Sequence, residues 1–518
     1  MSVFLALLPV VIIFIMLAFF KKPADTSGFV GWVLILLIAI LYFKTSASVA
    51  ITASLAGVVA SFPISLMVAT SLFQITYMEK VGAIRRLVVF LKSVSPQDKV
   101  VQILIINVGF GTLITALGAT PVSILPPIMI ALGYTSFVSI ALPAIGYDAL
   151  CTYALLGIPI VIFTQFTGIT IDEAGAIFSR YMPVISTLIA FGMLYIVGRW
   201  RLMWRGAIPT IITGLTAGFV AIFMNKIHLT LLTGVGAGIA VMLIMMLYLL
   251  VRGKKVYDPS ELTDEDIKVR ETMPLWKAVL PWIFLVIFAT IVNVPGPIFD
   301  TLFKDIPLAV SIIPIGKPIP IRLFWQAYWW VLISTLVASP FYKGGMRKLF
   351  GSTPRWIRRA PRPVFSACIF FAIAYVMNWS GYNSNWHFLG QEHNIVSVLA
   401  VNSARLFGEM YGLIAPYLGL LGGFISGSET SSIAMLTRFH LQTSQELWGA
   451  GAIVAGLLIA AASGIGGGLA SVISPAKLQN AAAAIDRIGE ESRVIRTTLW
   501  ISLVITLACA ILTVIWLM

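Results

Sequence analysis

Charge is scarce in this chain. Of its 518 residues only 11% are Asp, Glu, Lys or Arg, against about 25% in an ordinary soluble domain. Cysteine is scarcer still: Cys151, Cys368 and Cys509 all stand in apolar runs, which excludes a disulfide framework. Nothing in the pattern calls for a metal site or a cofactor. What abounds is apolar sequence, 59% of the chain, with a mean hydropathy of +0.96. Runs of about 17 residues or more, enough to cross roughly 30 Å of hydrocarbon as a helix, recur from Val3 to Met518. The fold class read from this is an all-α polytopic membrane protein with the lipid bilayer as its solvent.

The net charge of +14 does not point to nucleic acid, because the cations gather in short loops. The stretch "YKGGMRKLFGSTPRWIRRAPRP" (342–363) carries Lys343, Arg347, Lys348, Arg355, Arg358, Arg359 and Arg362 without an acid. Basic loops of this kind mark the cytoplasmic side. The first apolar run has no basic residue ahead of it and Lys21–Lys22 behind it, so it reads as an anchor that starts outside rather than a cleaved signal.

Applied along the chain, the charge rule predicts about 12 full spans plus two re-entrant hairpins, in the inner (plasma) membrane with both termini outside. Residues 1–27 form an anchor helix. Residues 28–198 form a first repeat, with a single helix over 47–78, a basic amphipathic helix over 81–95, a hairpin near 105–134 and a broken helix over 136–164. Within it "GATP" and "LPP" are expected breaks, followed by the crossing-helix break "PAIGYDALC" (143–151) and an outer loop at 165–180. Residues 199–322 are connecting helices and loops, with 252–273 a solvated connector. Residues 323–518 form a second repeat, with a hairpin near 408–440, a broken helix over 446–473 and an inside segment at 475–497.

The two halves share a pattern. When "GTLITALGATPVSI" (111–124) is set against "GGFISGSETSSIAM" (422–435), Ile114 falls on Ile425, Thr115 on Ser426 and Thr120 on Ser431. Each is followed by an interrupted apolar helix, and by the charge count the two units enter from opposite faces. That is the pattern of inverted repeats whose broken segments meet at mid-membrane to form a substrate site. A half-helix starting there presents unpaired N–H groups and roughly half a positive charge, a ready site for a carboxylate. Gly427, Ser428, Thr430, Ser431 and Ser432 at the second tip, Thr120 and Ser123 at the first, and Tyr147 and Thr152 at the first break are the substrate-binding candidates. The plainer alternative for the hydroxyls is helix capping.

Two acids fall at depth, Asp148 and Glu429, where a carboxylate is a functional hypothesis by default. Either would take a proton on one side and release it on the other, so that proton and anion cross together; the alternative is a structural carboxylate. Arg405, Glu409 and Arg438 are expected to snorkel at the outer interface. Lys477 is expected to face the cytoplasm, and His440 to be interfacial. Asn378 and Ser380 are read as a gate or a capped terminus. The glycine-rich 463–468 stretch would offer carbonyls to Na⁺ if the helix opens there. An intramembrane serine nucleophile is disfavoured, because no His lies within "SGSETSS" to act as its base.

The segments "SPQDKVVQILIINVGFGTL", "PVSILPPIMIALGY", "LLGIPIVIFTQFTGI", "NWSG", "APYLGLLGGFISGSETSSIAM" and "ISPAKLQNAAAAIDRIGEESRVIRTTLW" resemble the bacterial L-lactate permease family. The resemblance covers about residues 90–500, and "SGSETSS" and "ISP" are its specific parts. It implies a proton-coupled symporter of lactate and related 2-hydroxymonocarboxylates such as glycolate, built like the ion transporter superfamily from inverted repeats with elevator-like motion. The family's site falls on Gly427, Ser428, Glu429, Thr430, Ser431 and Ser432. Three departures mark a divergent member. Glu429 stands where the family usually has Asp, the first hairpin is shorter and lacks an acid, and Ser471 replaces a Lys before "ISP". A Na⁺-coupled or other-anion transporter of the same architecture stays open, and the sequence leaves the oligomeric state open, a homodimer included.

Overall fold

Glycines, prolines and capping hydroxyls decide where these apolar runs stop being helical. The computed structural model describes residues 1–94, 98–449, 451–487 and 489–518. Ser95, which closes the basic amphipathic stretch, and Ala450, inside 446–473, lie outside the described residues.

The first half opens with α1 (Ser2–Ala18), α2 (Ala24–Leu41), α3 (Ala47–Ala60) and α4 (Phe62–Val81). The expected single helix over 47–78 is instead bent by 47° between α3 and α4. Ser61 Oγ donates to Val58 O (2.7 Å) at the bend, and Pro63 lies in the first turn of α4, where a missing N–H costs no bond. The amphipathic helix is α5 (Ala83–Lys92). It leads to α6 (Lys99–Ala116), α7 (Pro121–Ala131), α8 (Ser136–Asp148) and α9 (Ala154–Thr167). "GATP" does end a helix, but α7 runs through Pro126 and Pro127. Surrounding helices hold such a proline segment in place despite its lost backbone bonds.

Next come α10 (Ile171–Arg205), α11 (Ala207–Lys226) and α12 (Thr233–Val251). Helix α10 begins inside the expected outer loop, because Thr170 and Glu173 form a capping box. The second half contains α13 (Asp264–Thr272), α14 (Leu280–Asn293), α15 (Ala327–Ala338) and α16 (Gly345–Arg359). After them come α17 (Pro361–Asn378), α18 (Ile395–Phe407), α19 (Tyr411–Ser426) and α20 (Glu429–Trp448). The chain closes with α21 (Ile453–Gly468), α22 (Pro475–Ala483) and α23 (Glu491–Leu517). Helix α18 was not anticipated: Asn394 caps it, and Ser380 Oγ accepts from Ile395 N (2.7 Å), so "NWSG" serves a helix start.

Among the described residues, seven helices are long and apolar enough to span, or ten if each bent pair counts as one. The count stops short of the twelve expected, because other apolar runs, such as Ser2–Ala18 and Ile453–Gly468, form shorter helices.

The charged elements collect at the C-terminal end of α4. Helix α16, expected as a loop, packs along α4, through Arg359–Glu79 (2.9 Å) near that end and Trp356 Nε1 to Ala69 O (2.8 Å) nearer its middle. The 252–273 stretch is not a free connector either. Lys254 pairs with Asp98 (2.6 Å), Lys92 with Asp266 (2.9 Å) and Arg85 with Glu265 (3.1 Å), while Arg86 donates to Met273 O (2.8 Å). Helix α11 starts beside Val100 and travels about 30 Å to the opposite end, where His228 meets Asp172 (2.6 Å).

Candidate functional site

Both hairpins are built the same way. In the first, Thr115 Oγ1 donates to Gly111 O (2.7 Å) and Gly118 is left-handed (φ 91°) before Thr120, which stands at the N-cap position of α7. In the second, Ser426 Oγ donates to Gly422 O (2.8 Å), Gly427 is left-handed (φ 68°), and Ser428 caps α20. The chain doubles back in each, as Asn107 Nδ2 to Met129 Sδ (3.7 Å) and Ser432 Oγ to Gly419 O (3.1 Å) record. Thr115 therefore matches Ser426 as aligned. Thr120, however, matches Ser428 rather than Ser431, because the first tip is longer.

The hydroxyl candidates divide into distinct roles. Ser428 Oγ accepts from Ser431 N (3.3 Å), and Ser432 ties the arms of its hairpin together. Thr430 and Ser431 are buried in the first turn of α20. Thr120 and Ser123 are exposed and bond to each other (3.3 Å). They lie outside the buried cluster, and the first tip packs instead on Met67 and Ser71 of α4 around Gly118.

That cluster forms where two interrupted helices meet the second tip. Helix α8 stays regular through Asp148, about 20 Å from its start. The break falls at residues 149–153, at the end of the expected 143–151 stretch, with a bend of 70°. Leu155, Leu156 and Gly157 follow in left-handed backbone (φ 54°, 54° and 71°), a conformation that costs Leu energy and is held only by its surroundings. The second break likewise falls late in its expected stretch, "AASGIGGGLASVISP" (461–475). Helix α21 is continuous through Gly468 and Leu469 N donates to Ile465 O (3.0 Å), so the carbonyls of 463–468 lie within a helix rather than in an opening. Residues 469–474 form the break, and α22 starts at Pro475.

Glu429 Oε1 accepts from Thr152 Oγ1 (2.6 Å), joining the second tip to the first break. Lys477, expected at the cytoplasmic face, instead turns into the cluster. Its Nζ donates to Ser471 Oγ (2.5 Å) and stands 3.6 Å from the centroid of the Tyr147 ring. Asp148 faces the same Ser471 hydroxyl, and Cys151 adjoins Glu429. Both carboxylates are almost fully buried, 4% and 3% exposed. Asp148 Oδ1, Glu429 Oε2 and Ser474 Oγ are buried without a hydrogen-bond partner. The sequence did carry a signal for Lys477: a lone cation just past a proline that restarts a broken helix.

His440, expected at the interface, is wholly buried. Its Nδ1 bonds to Tyr411 OH (2.6 Å) and its Nε2 to Ser463 Oγ (2.7 Å). It braces α19, α20 and α21 against one another. Arg405, Glu409 and Arg438 are exposed.

A helical chain with this many apolar spans and an interior polar cluster at interrupted helices is a polytopic membrane protein. The chain belongs to the L-lactate permease family, whose model matches residues 2–518. Glycolate permease GlcA of Escherichia coli is 24% identical, with 99% of this chain and 95% of the relative covered. The L-lactate permease of Salmonella typhimurium is also 24% identical and that of Bacillus subtilis 23%, each over 99% of this chain and 95% of the relative. These relatives are permeases, not enzymes. The solved Neisseria gonorrhoeae MtrF, from a class of antimetabolite efflux pumps, aligns at 13% identity over 96% of this chain and 95% of its own, with a TM-score of 0.42, too low to bear on the fold.

Proposed function

We propose that this protein carries lactate, glycolate and related small 2-hydroxymonocarboxylates across the cell's inner membrane, each with a proton. Family membership and relatives named L-lactate and glycolate permeases support the substrate class. The proton is supported by one observation above all. Asp148 and Glu429, two carboxylates each with an unpartnered oxygen, are buried together where both helix breaks and a hairpin tip meet. A carboxyl group in such a place moves an anion at least cost when protonated. Thr430, Ser431, Thr152 and Tyr147 line the substrate's side of this cluster, while Ser428 and Ser432 hold the hairpin in shape. The matched hairpins followed by matched broken helices support inverted repeats and re-entrant segments, with the cluster moving as one body in elevator fashion.

Uptake of labelled lactate into proteoliposomes under an imposed pH or Na⁺ gradient tests this reading. Accumulation is expected with the pH gradient alone. Asp148→Asn or Glu429→Gln abolishes uphill uptake while counterflow exchange persists. Accumulation driven only by Na⁺, or uphill uptake in both amide variants, would overturn the proton assignment.

A further inference from the structure

We infer that Lys477, at the start of α22, is the cation that binds the substrate's carboxylate, and that it exchanges this partner with Asp148 so that one proton enters with each anion. The inference rests on the proposed transport of monocarboxylates. It starts from two charges on the wrong ends of their helices. Asp148 ends α8, where the helix dipole is negative, and Lys477 lies in the first turn of α22, where it is positive. Each placement is unfavourable alone, and together they offset each other across the Ser471 hydroxyl.

An anion has more reason to go to the start of α22 than to the start of α20. Helix α20 carries its own carboxylate, Glu429, in its first turn, and Ser428 already caps it. Helix α22 has no acid in its first turn and no side-chain cap bond, and Ser474 at its N-cap position is fully buried with an unpartnered hydroxyl. The positive end of a helix dipole, an ammonium and an unused hydroxyl at one helix start form a carboxylate site. Tyr147 and Lys477 keep partial exposure, which marks the side from which a ligand arrives.

The charge count then gives the stoichiometry. With Lys477, Asp148 and Glu429 ionised, the cluster carries one net negative charge. A monocarboxylate on Lys477 adds a second, and one proton on Asp148, released from its cation, removes it. Glu429, bonded to Thr152, keeps its charge in this count. The other titratable groups facing this trio are Tyr147 on α8, Cys151 and Tyr153 at the first break, and Cys509 on α23 behind Glu429.

The test is lactate binding to the purified full chain as a function of pH, read by ligand-induced thermal stabilisation and by half-saturation of counterflow. Wild type is expected to lose affinity as pH rises, with a slope of about one proton per anion. Lys477→Met loses affinity by on the order of 10- to 100-fold, the worth of a charge-assisted bond, and Lys477→Arg recovers part of it. Asp148→Asn flattens the pH slope. A folded Lys477→Met that binds like wild type, or an Asp148→Asn that keeps the slope, overturns the inference and leaves lactate transport standing. Wild type that binds none of the small carboxylates overturns both. If Lys477→Met does not fold, the slopes of wild type and Asp148→Asn decide alone.

Discussion

A methyl group added at Gly468 would lie 2.6 Å from Glu429 Oε2 and 3.3 Å from Cys151 Cβ. Gly468→Ala is therefore expected to push Glu429 off Thr152, to cost about 1–3 kcal/mol by overpacking, and to lower uptake well beyond what that loss explains. Thermal unfolding and initial transport rates on one preparation check this, and wild-type rates would show that the carboxylate's position is immaterial. His440 gives a second expectation at this scale. His440→Phe removes the partner of both Tyr411 OH and Ser463 Oγ, and a buried group left unpaired costs about 1–3 kcal/mol. A double-mutant cycle with Ser463→Ala should recover part of that cost as coupling energy. Asp148 and Glu429 could be read from sequence because an acid in an apolar run stands out. His440 could not, since its two hydroxyl partners lie on other helices.

At the scale of elements, α19 and α21 touch backbone to backbone. A Cβ on Gly419 would overlap the carbonyl of Ser463, and one on Gly423 the carbonyl of Gly467. Small residues four apart let transmembrane helices approach this closely. Gly419→Ala or Gly423→Ala should destabilise by about 1–3 kcal/mol, whereas Gly451→Ala, which meets open space, should stay within about 0.5 kcal/mol. Melting in detergent separates them.

The docked 252–273 stretch makes a pH prediction. Hydrogen bonds from Ser260 and then Lys255 push the Asp258 carboxyl down to about 2. At Asp266 burial acts upward, yet bonds from Lys92 and Thr263 outweigh it and leave the group below its ordinary value. A carboxyl with a depressed folded pKa stabilises above its unfolded value, about 3.9, and this is lost as pH falls through the folded one. Protection factors over 252–273, corrected for the intrinsic pH dependence of amide exchange, should accordingly fall between about pH 4 and pH 2 ahead of those of the spans, and protection lost together with the spans would refute local docking. The docking itself was illegible in sequence, because mixed charge reads equally well as solvated loop or as ion-paired helix.

For the whole molecule, the contact chain from α4 through α5, α13 and α16 gathers the basic segments at one end, and α11 carries the chain to the other. Single cysteines at Lys348 and Lys254 are expected to react with an impermeant maleimide only from the cytoplasmic side, and one at His228 only from outside. Labelling of all three from one side would overturn this topology. The sequence by itself determined that the chain lives in lipid, that its runs break near Gly118, Asp148, Gly427 and "ISP", and to which family it belongs. Hydropathy, glycine, proline and capping residues act over a few neighbours, and their effect is written locally. Only the tertiary structure decided that Thr152 meets Glu429 and that Lys477 turns inward to Tyr147. Those meetings join breaks hundreds of residues apart, and the energy that rewards them, a shared charge balance inside a low dielectric, belongs to the assembled cluster and to no stretch of chain alone.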